Sequence, residues 1–276
     1  EQVFVQNSGT VIMNKTTDAF KKTRKSELIS FDGTSKEIKS FSTEGFIPME
    51  MALFNVNGKP MFTGFFWDGM KTVIQLNSKE GNENNGAFLY DISENKLVGL
   101  HQWSDDLKNA NDLKSLEVID VKVVNNDIYL IGEKQIKTSE FRKNGSTTTT
   151  ELDYFYTFGS SVLVNFDTNG TLKSFTPLFD AVRLKNYAKE KGSLTALFLE
   201  NGLRILSNAN SNHLTFNSFF APNQENFSYP RIIPFDGGTS TIPSILPETV
   251  KRVENYGIVY YITNYNDRYW LNKMTW

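Results

Sequence analysis

The chain contains no cysteine, which removes disulfide frameworks, thiolate metal sites and cysteine nucleophiles together. A cysteine-free chain suits oxidising and reducing compartments alike. Histidine is almost as scarce: only His101 and His213 occur, so any general acid–base chemistry would rest on carboxylates. Neither charge sign dominates, with 29 Lys and Arg against 31 Asp and Glu and a formal net charge of −2. That balance excludes the broad basic field through which proteins track nucleic-acid phosphates or anionic membranes. No apolar run approaches the roughly 18 residues of a membrane-spanning helix, and no charged-then-apolar leader is present. Phosphate-binding glycine loops are missing, and Gly159-Ser160-Ser161 is not a nucleophile elbow.

What is present is a 276-residue chain, 39% hydrophobic and 13% aromatic, long enough for a substantial core. Its dominant pattern is short β-branched and aromatic runs separated by Asn, Asp and Gly, residues that tolerate the positive φ of tight hairpin turns. The clearest copy lies between Leu116 and Phe175. Strands Leu116 to Val124 and Asp127 to Gly132 flank Asn125-Asn126, and strands Ser161 to Phe166 and Thr171 to Phe175 flank Asp167-Thr168-Asn169-Gly170.

The same four-strand pattern recurs. Turns at Ser8-Gly9 and Asp32-Gly33 organise residues 1–45. Asn57-Gly58 and Ser93 to Lys96 organise 46–104, with a polar insertion from Asn77 to Gly86. Asn201-Gly202 opens the fourth unit, 193–236. The last, 248–276, turns at Tyr256-Gly257 and Asn266-Asp267 and is one strand short, with Glu1 to Gln6 the available donor. Two helical segments are predicted: a short turn from Asp105 to Ser115 and a connecting helix from Pro177 to Lys191. The latter has Pro177 at its start, a ragged apolar stripe through Leu178, Val182 and Tyr187, and Gly192 at its end.

The expected fold is all-β. A unit of about 40 to 50 residues with four strands is the pattern of a propeller blade, and strands such as Asp127 to Ile131 and Ile258 to Ile262 are apolar on both faces. In this organisation the chain resembles the β-propeller superfamily, without the WD, kelch or Asp-box signature of any particular family. The resemblance implies a single domain, 1–276, of about five four-stranded antiparallel blades at 1–45, 46–104, 116–178, 193–236 and 248–276, with one connecting helix. A large β-sandwich is the alternative.

Two strand ends carry candidate site residues. His101, Trp103, Asp105 and Asp106 combine an imidazole, an aromatic platform and two carboxylates, the ingredients of a sugar or metal site. The same residues are also explained by a packed Trp103, an outer-strand His101 and aspartates capping a helical turn. Trp67-Asp68-Gly69 could stack and hydrogen-bond a sugar, or be a core tryptophan followed by an Asp-Gly turn. Aromatics at Tyr154 to Phe158 and Tyr260 to Trp270 exceed what a core needs, and Tyr and Trp suit binding surfaces. No metal-ligand spacing is evident, and neither a metal nor a cofactor is expected.

The functional expectation is an exported protein that binds a glycan, peptide or protein partner through rim loops at Trp67, Asp68, His101, Trp103 and Asp105. Nucleic acid and a membrane span are not expected. The first residue is Glu1, and an extracytoplasmic location fits the richness in Asn, Thr, Ser and aromatics. Asn-x-Ser/Thr triplets at Asn14, Asn144, Asn169 and Asn226 are of the number that an Asn-rich chain yields by chance. A carboxylate-dependent glycoside hydrolase or lyase is the enzymatic alternative, although Glu50, Glu117 and Glu248, at the openings of candidate innermost strands, are too irregularly placed to mark its site. A structural subunit of a surface assembly is the third.

Overall fold

A computed structural model describes residues 2–6, 8–17, 25–41, 45–67, 85–103, 113, 116–143, 150–179, 182–185, 194–199, 202–208, 215–220, 228–232, 244–253, 258–265 and 268–275. Among them the chain is all-β. Twenty strands form five antiparallel sheets, each an up-and-down meander in chain order apart from one added strand in the third.

The first sheet holds β1 (Gln2–Val5), β2 (Val11–Thr17), β3 (Lys25–Phe31) and β4 (Lys36–Ser40). The second holds β5 (Ile47–Val56), β6 (Lys59–Trp67), β7 (Gly86–Asp91) and β8 (Lys96–Gln102). The third runs through β9 (Leu116–Val124), β10 (Asp127–Lys143), β11 (Thr150–Asp167) and β12 (Leu172–Phe179), with β13 (Val182–Lys185) added beside β11. The fourth comprises β14 (Thr195–Leu199), β15 (Gly202–Asn208), β16 (Thr215–Phe220) and β17 (Ser228–Ile232). The fifth has three strands, β18 (Ser244–Val253), β19 (Ile258–Tyr265) and β20 (Arg268–Thr275). The three-strand count of the last sheet follows the sequence pattern, and the possible donor β1 pairs with β2 in the first sheet.

Turn chemistry sets these meanders. Asn57 and Gly58 adopt φ of 49° and 83°, and Asn125 and Asn126 adopt 51° and 67°, the positive values of two-residue hairpin turns. The Asp167 turn closes by backbone bonds from Asp167 N to Thr171 O and from Gly170 N to Asp167 O. The Asp167 carboxylate accepts from Asn169 N and Thr171 N at 2.9 and 2.8 Å.

The connecting helix expected over 177–191 is corrected: residues 177–179 finish β12, and Val182–Lys185 pairs antiparallel with Phe155 to Phe158 of β11. The apolar period there was ragged, and β11 offered an open edge, so strand pairing overrode a weak helical preference. The hairpin of β10 and β11 is also longer than its hydrophobic run suggested, because the polar segments on either side of residues 144–149 are strand as well. Of the expected helical turn from Asp105 to Ser115, only Leu113 is described, and it is buried.

The chain divides into two compact units, residues 1–132 with 161–178, and residues 133–160 with 179–276. In the first unit the second sheet is covered on both faces. Phe62, Phe66, Phe88 and Tyr90 meet Ile12, Leu28 and Phe41 on one side. Met61, Phe65, Ala87 and Leu89 meet Ile128, Leu130, Val162, Val164 and Phe166 on the other. Strand alternation assigns these faces. Each fully buried Phe, Leu or Ile contributes about 1.5 to 3 kcal/mol of transfer free energy. Strands β5 and β9 run close together, as β14 and β18 do in the second unit.

Close sheet packing requires glycine at particular points. A Cβ on Gly99 would come 2.5 Å from Gly170 O, and one on Gly170 would strike the Val98 carbonyl. Backbone therefore packs on backbone where the Asp167 turn meets β8.

Candidate functional site

The two tryptophan-bearing strand ends converge. β6 ends at Trp67 and β8 just before Trp103, while β5 begins at Ile47 opposite Trp67 and β7 begins at Gly86 opposite Gln102. Asn85 ties the ends together: its N–H donates to Phe66 O and its carbonyl accepts from Trp103 N–H, both at 2.7 Å. Residues 68–84 and 104–112, which follow these two strand ends in the chain, lie outside the described residues.

Both indoles are buried, each only 1% exposed, so neither offers a ring face to solvent. Trp103 packs in the core between the second and third sheets, with ring centroids 4.9 Å from Phe175 and 6.5 Å from Phe65. His101 lies edge-on to Trp103 at 5.5 Å and faces Phe175 at 6.2 Å. It sits on β8, the outer strand of its sheet, partly exposed. Partial burial lowers its pKa below the usual imidazole value and favours the neutral ring. The structure thus brings Trp67, His101 and Trp103 to one end of one sheet as buried or half-buried groups. Asp68, Asp105 and Asp106 fall outside the described residues. Phe175, from the neighbouring sheet, completes the cluster and had no local sequence signal.

A second polar group lies between the first two sheets. Gln2 and Asn14 are register partners on β1 and β2 and share the face that carries Phe4, Ile12 and Leu28 into the core. Across from them β5 bulges at Met49, since Pro48 pairs with Phe66 and Glu50 with Phe65. The bulge depends on Gly64, where a Cβ would strike the Glu50 carbonyl and lie 2.8 Å from Met51 Cα. Gln2 Nε2 donates to Glu50 Oε2 at 3.3 Å and to Met49 O at 3.5 Å. The amide oxygens Gln2 Oε1 and Asn14 Oδ1 are buried and without a hydrogen-bond partner, and Asn14 is 5% exposed. This burial is incompatible with modification of Asn14 in the folded protein. A hairpin pattern does not reveal the group, because it arises from a bulge and from contact between separate sheets.

Among the described residues no group of three or more His, Cys, Asp and Glu side chains is placed to hold a metal ion, and no helix is long and apolar enough to cross a membrane.

No protein-family profile matches the chain, and no curated protein matches it. Among solved structures, the crystal structure of the polysaccharide lyase Uly1 is similar with a TM-score of 0.42 and 12% identity, over 99% of this chain and 57% of that one. The chain thus spans little more than half the length of that protein, and a likeness of this strength assigns neither fold nor chemistry.

Proposed function

We propose that the chain is an exported β-propeller of about five blades that binds a glycan, peptide or protein partner. One observation carries the reading: the first three sheets stack face to face in chain order, so that the second is buried on both sides by the first and third. The nearness of β5 to β9, and of β14 to β18, supports this reading, in which those strands would be the innermost of adjacent blades. The binding surface in this proposal is the end of the second sheet where β6 and β8 finish. In this proposal Asp68, Asp105 and the half-exposed His101 make the contacts, and the buried Trp67 and Trp103 give that end of the sheet a rigid footing.

Glycan and peptide arrays probed with the purified chain test this. Asp68→Ala, Asp105→Ala and His101→Ala are expected each to weaken the best hit about tenfold, the loss of one good polar contact. Binding unchanged in all three variants would reject the site.

A second reading, a carboxylate-dependent glycoside hydrolase or lyase, is favoured by Glu50 and Glu117, which lie near the starts of the neighbouring strands β5 and β9. Polysaccharide cleavage that is lost in both Glu50→Gln and Glu117→Gln supports it, and cleavage retained in both removes it. The surface-assembly reading draws on the outer face of the first sheet. There the row Val3, Met13, Ile29, Ile38 lies beside Val5, Val11 and Phe31, with Val3, Val5, Phe31 and Ile38 exposed.

A further inference from the structure

We infer that the outer face of the first sheet is the contact between two copies of this chain, packed face to face about a two-fold axis that runs between β2 and β3. The inference rests on the surface-assembly reading and names its partner. Register and strand alternation place three rows of side chains on this face. Val5, Val11, Phe31 and Lys36 form the first row, Val3, Met13, Ile29 and Ile38 the second, and Lys15, Glu27 and Ser40 the third. Val3 and Val5 are 62% and 68% exposed, and Phe31 and Ile38 are exposed as well. Two whole rows of apolar side chains, broken by a single lysine at one corner, have the composition that the second sheet buries against its neighbours on both sides.

The placement of charge selects a second copy as the occupant. Lys15 and Glu27 are register partners on the two central strands, β2 and β3, and both are half-buried. A two-fold axis parallel to the strands and midway between β2 and β3 exchanges their positions, so Lys15 of each copy stands over Glu27 of the other. The same operation sets Met13 over Ile29, Val11 over Phe31 and Val3 over Ile38, apolar on apolar, as in an aligned sandwich with its sheets about 10 Å apart. A face built for an unrelated partner needs no such relation between its own two central strands. Strand and residue spacings give the face roughly 400 Å² per copy, about half of what a standard interface buries on each partner. The dimer is therefore expected to be weak, with a Kd on the order of 10 µM, and its charged row fixes orientation more than it adds affinity.

Sedimentation velocity of the full chain from about 1 to 100 µM, a range that brackets the expected Kd, tests the proposal and should show a monomer–dimer equilibrium. Lys15→Glu and Glu27→Lys, each confirmed folded by circular dichroism, are each expected to weaken the dimer by about tenfold or more, because like charges then face each other across the axis. Mixing the two variants should restore wild-type affinity, since each then carries the charges that the other lacks. A purely structural effect within one chain cannot produce that rescue. Ile38→Lys, at an exposed position on the edge strand β4, should abolish the dimer and reports on the apolar rows even if a charge variant fails to fold. A chain that stays monomeric throughout overturns the proposal and leaves the face to another part of the chain or to a different protein. Weakening by both charge variants without rescue on mixing overturns the two-fold arrangement. A dimer that survives all three changes overturns the proposal as well, but leaves the surface-assembly reading standing on another surface.

Discussion

Gly132 of the third sheet lies directly against the ring of Phe65 in the second: a Cβ at Gly132 would strike the ring tip, come 2.6 Å from Cε2 and press on Val162 Cγ2 at 3.3 Å. Phe65 is fully buried and has no room to retreat. Gly132→Ala is therefore expected to destabilise the protein by about 1 to 3 kcal/mol, the usual cost of overpacking a filled core. Urea unfolding should show a lower midpoint with the slope unchanged. Combining it with Phe65→Leu should cost less than the two single changes added together, since both act on one contact.

Gly64 presents the more severe case, because the obstruction is backbone of β5 and not a ring that can tilt. Gly64→Ala is expected to remove the Met49 bulge or prevent folding, at a cost of about 3 kcal/mol or more, the upper range for overpacking. If the variant folds, proton and nitrogen shifts of Met49, Glu50 and Gln2 should move together. Wild-type stability would disprove the stated role of the glycine.

Thr63 tests a single buried hydrogen bond. Its Oγ1 donates to Phe88 O at 2.7 Å in a fully enclosed setting. Thr63→Val keeps the shape and removes the donor, so a loss of about 0.5 to 1.5 kcal/mol is expected from chemical denaturation. No loss would mean that the hydroxyl contributes nothing beyond its volume.

Asp32 gives a pH prediction. In the turn between β3 and β4 its carboxylate accepts from Ser35 N, Thr34 N and the Ser35 hydroxyl at 2.7 to 2.8 Å. These bonds, led by that from Ser35 N–H, lower its pKa from 3.8 to about 2. A depressed folded-state pKa contributes stability that is present above the unfolded value and lost as pH falls through the folded one. Asp32 should titrate near pH 2 by carboxyl NMR. Stability should decline as pH drops from about 4 towards 2, with Asp32→Asn flattening that part of the profile. A carboxyl midpoint near 3.8 would refute the turn geometry.

Much of the fold was legible because it rests on local chemistry. Asn57-Gly58, Asn125-Asn126 and Asp167 to Gly170 stand at hairpin turns in the structure, since positive φ and a carboxylate that caps its own turn are properties of a few adjacent residues. The segment after Pro177 was not legible. Its weak helical pattern lost to the free edge of β11, a partner about twenty-five residues away in the chain. Much the same holds for the candidate site. That Trp67, His101 and Trp103 end strands could be read directly, but that Phe65 and Phe175 close over Trp103 could not.

The sequence by itself determined that this is an all-β chain of successive antiparallel hairpins, because alternation and turn preference act over two to ten residues. Only the tertiary structure decided which faces those strands bury. Burial depends on which sheet lies opposite, and that placed both tryptophans in the core. It also brought Gln2 of β1 against Glu50 of β5, a strand about fifty residues away in the chain.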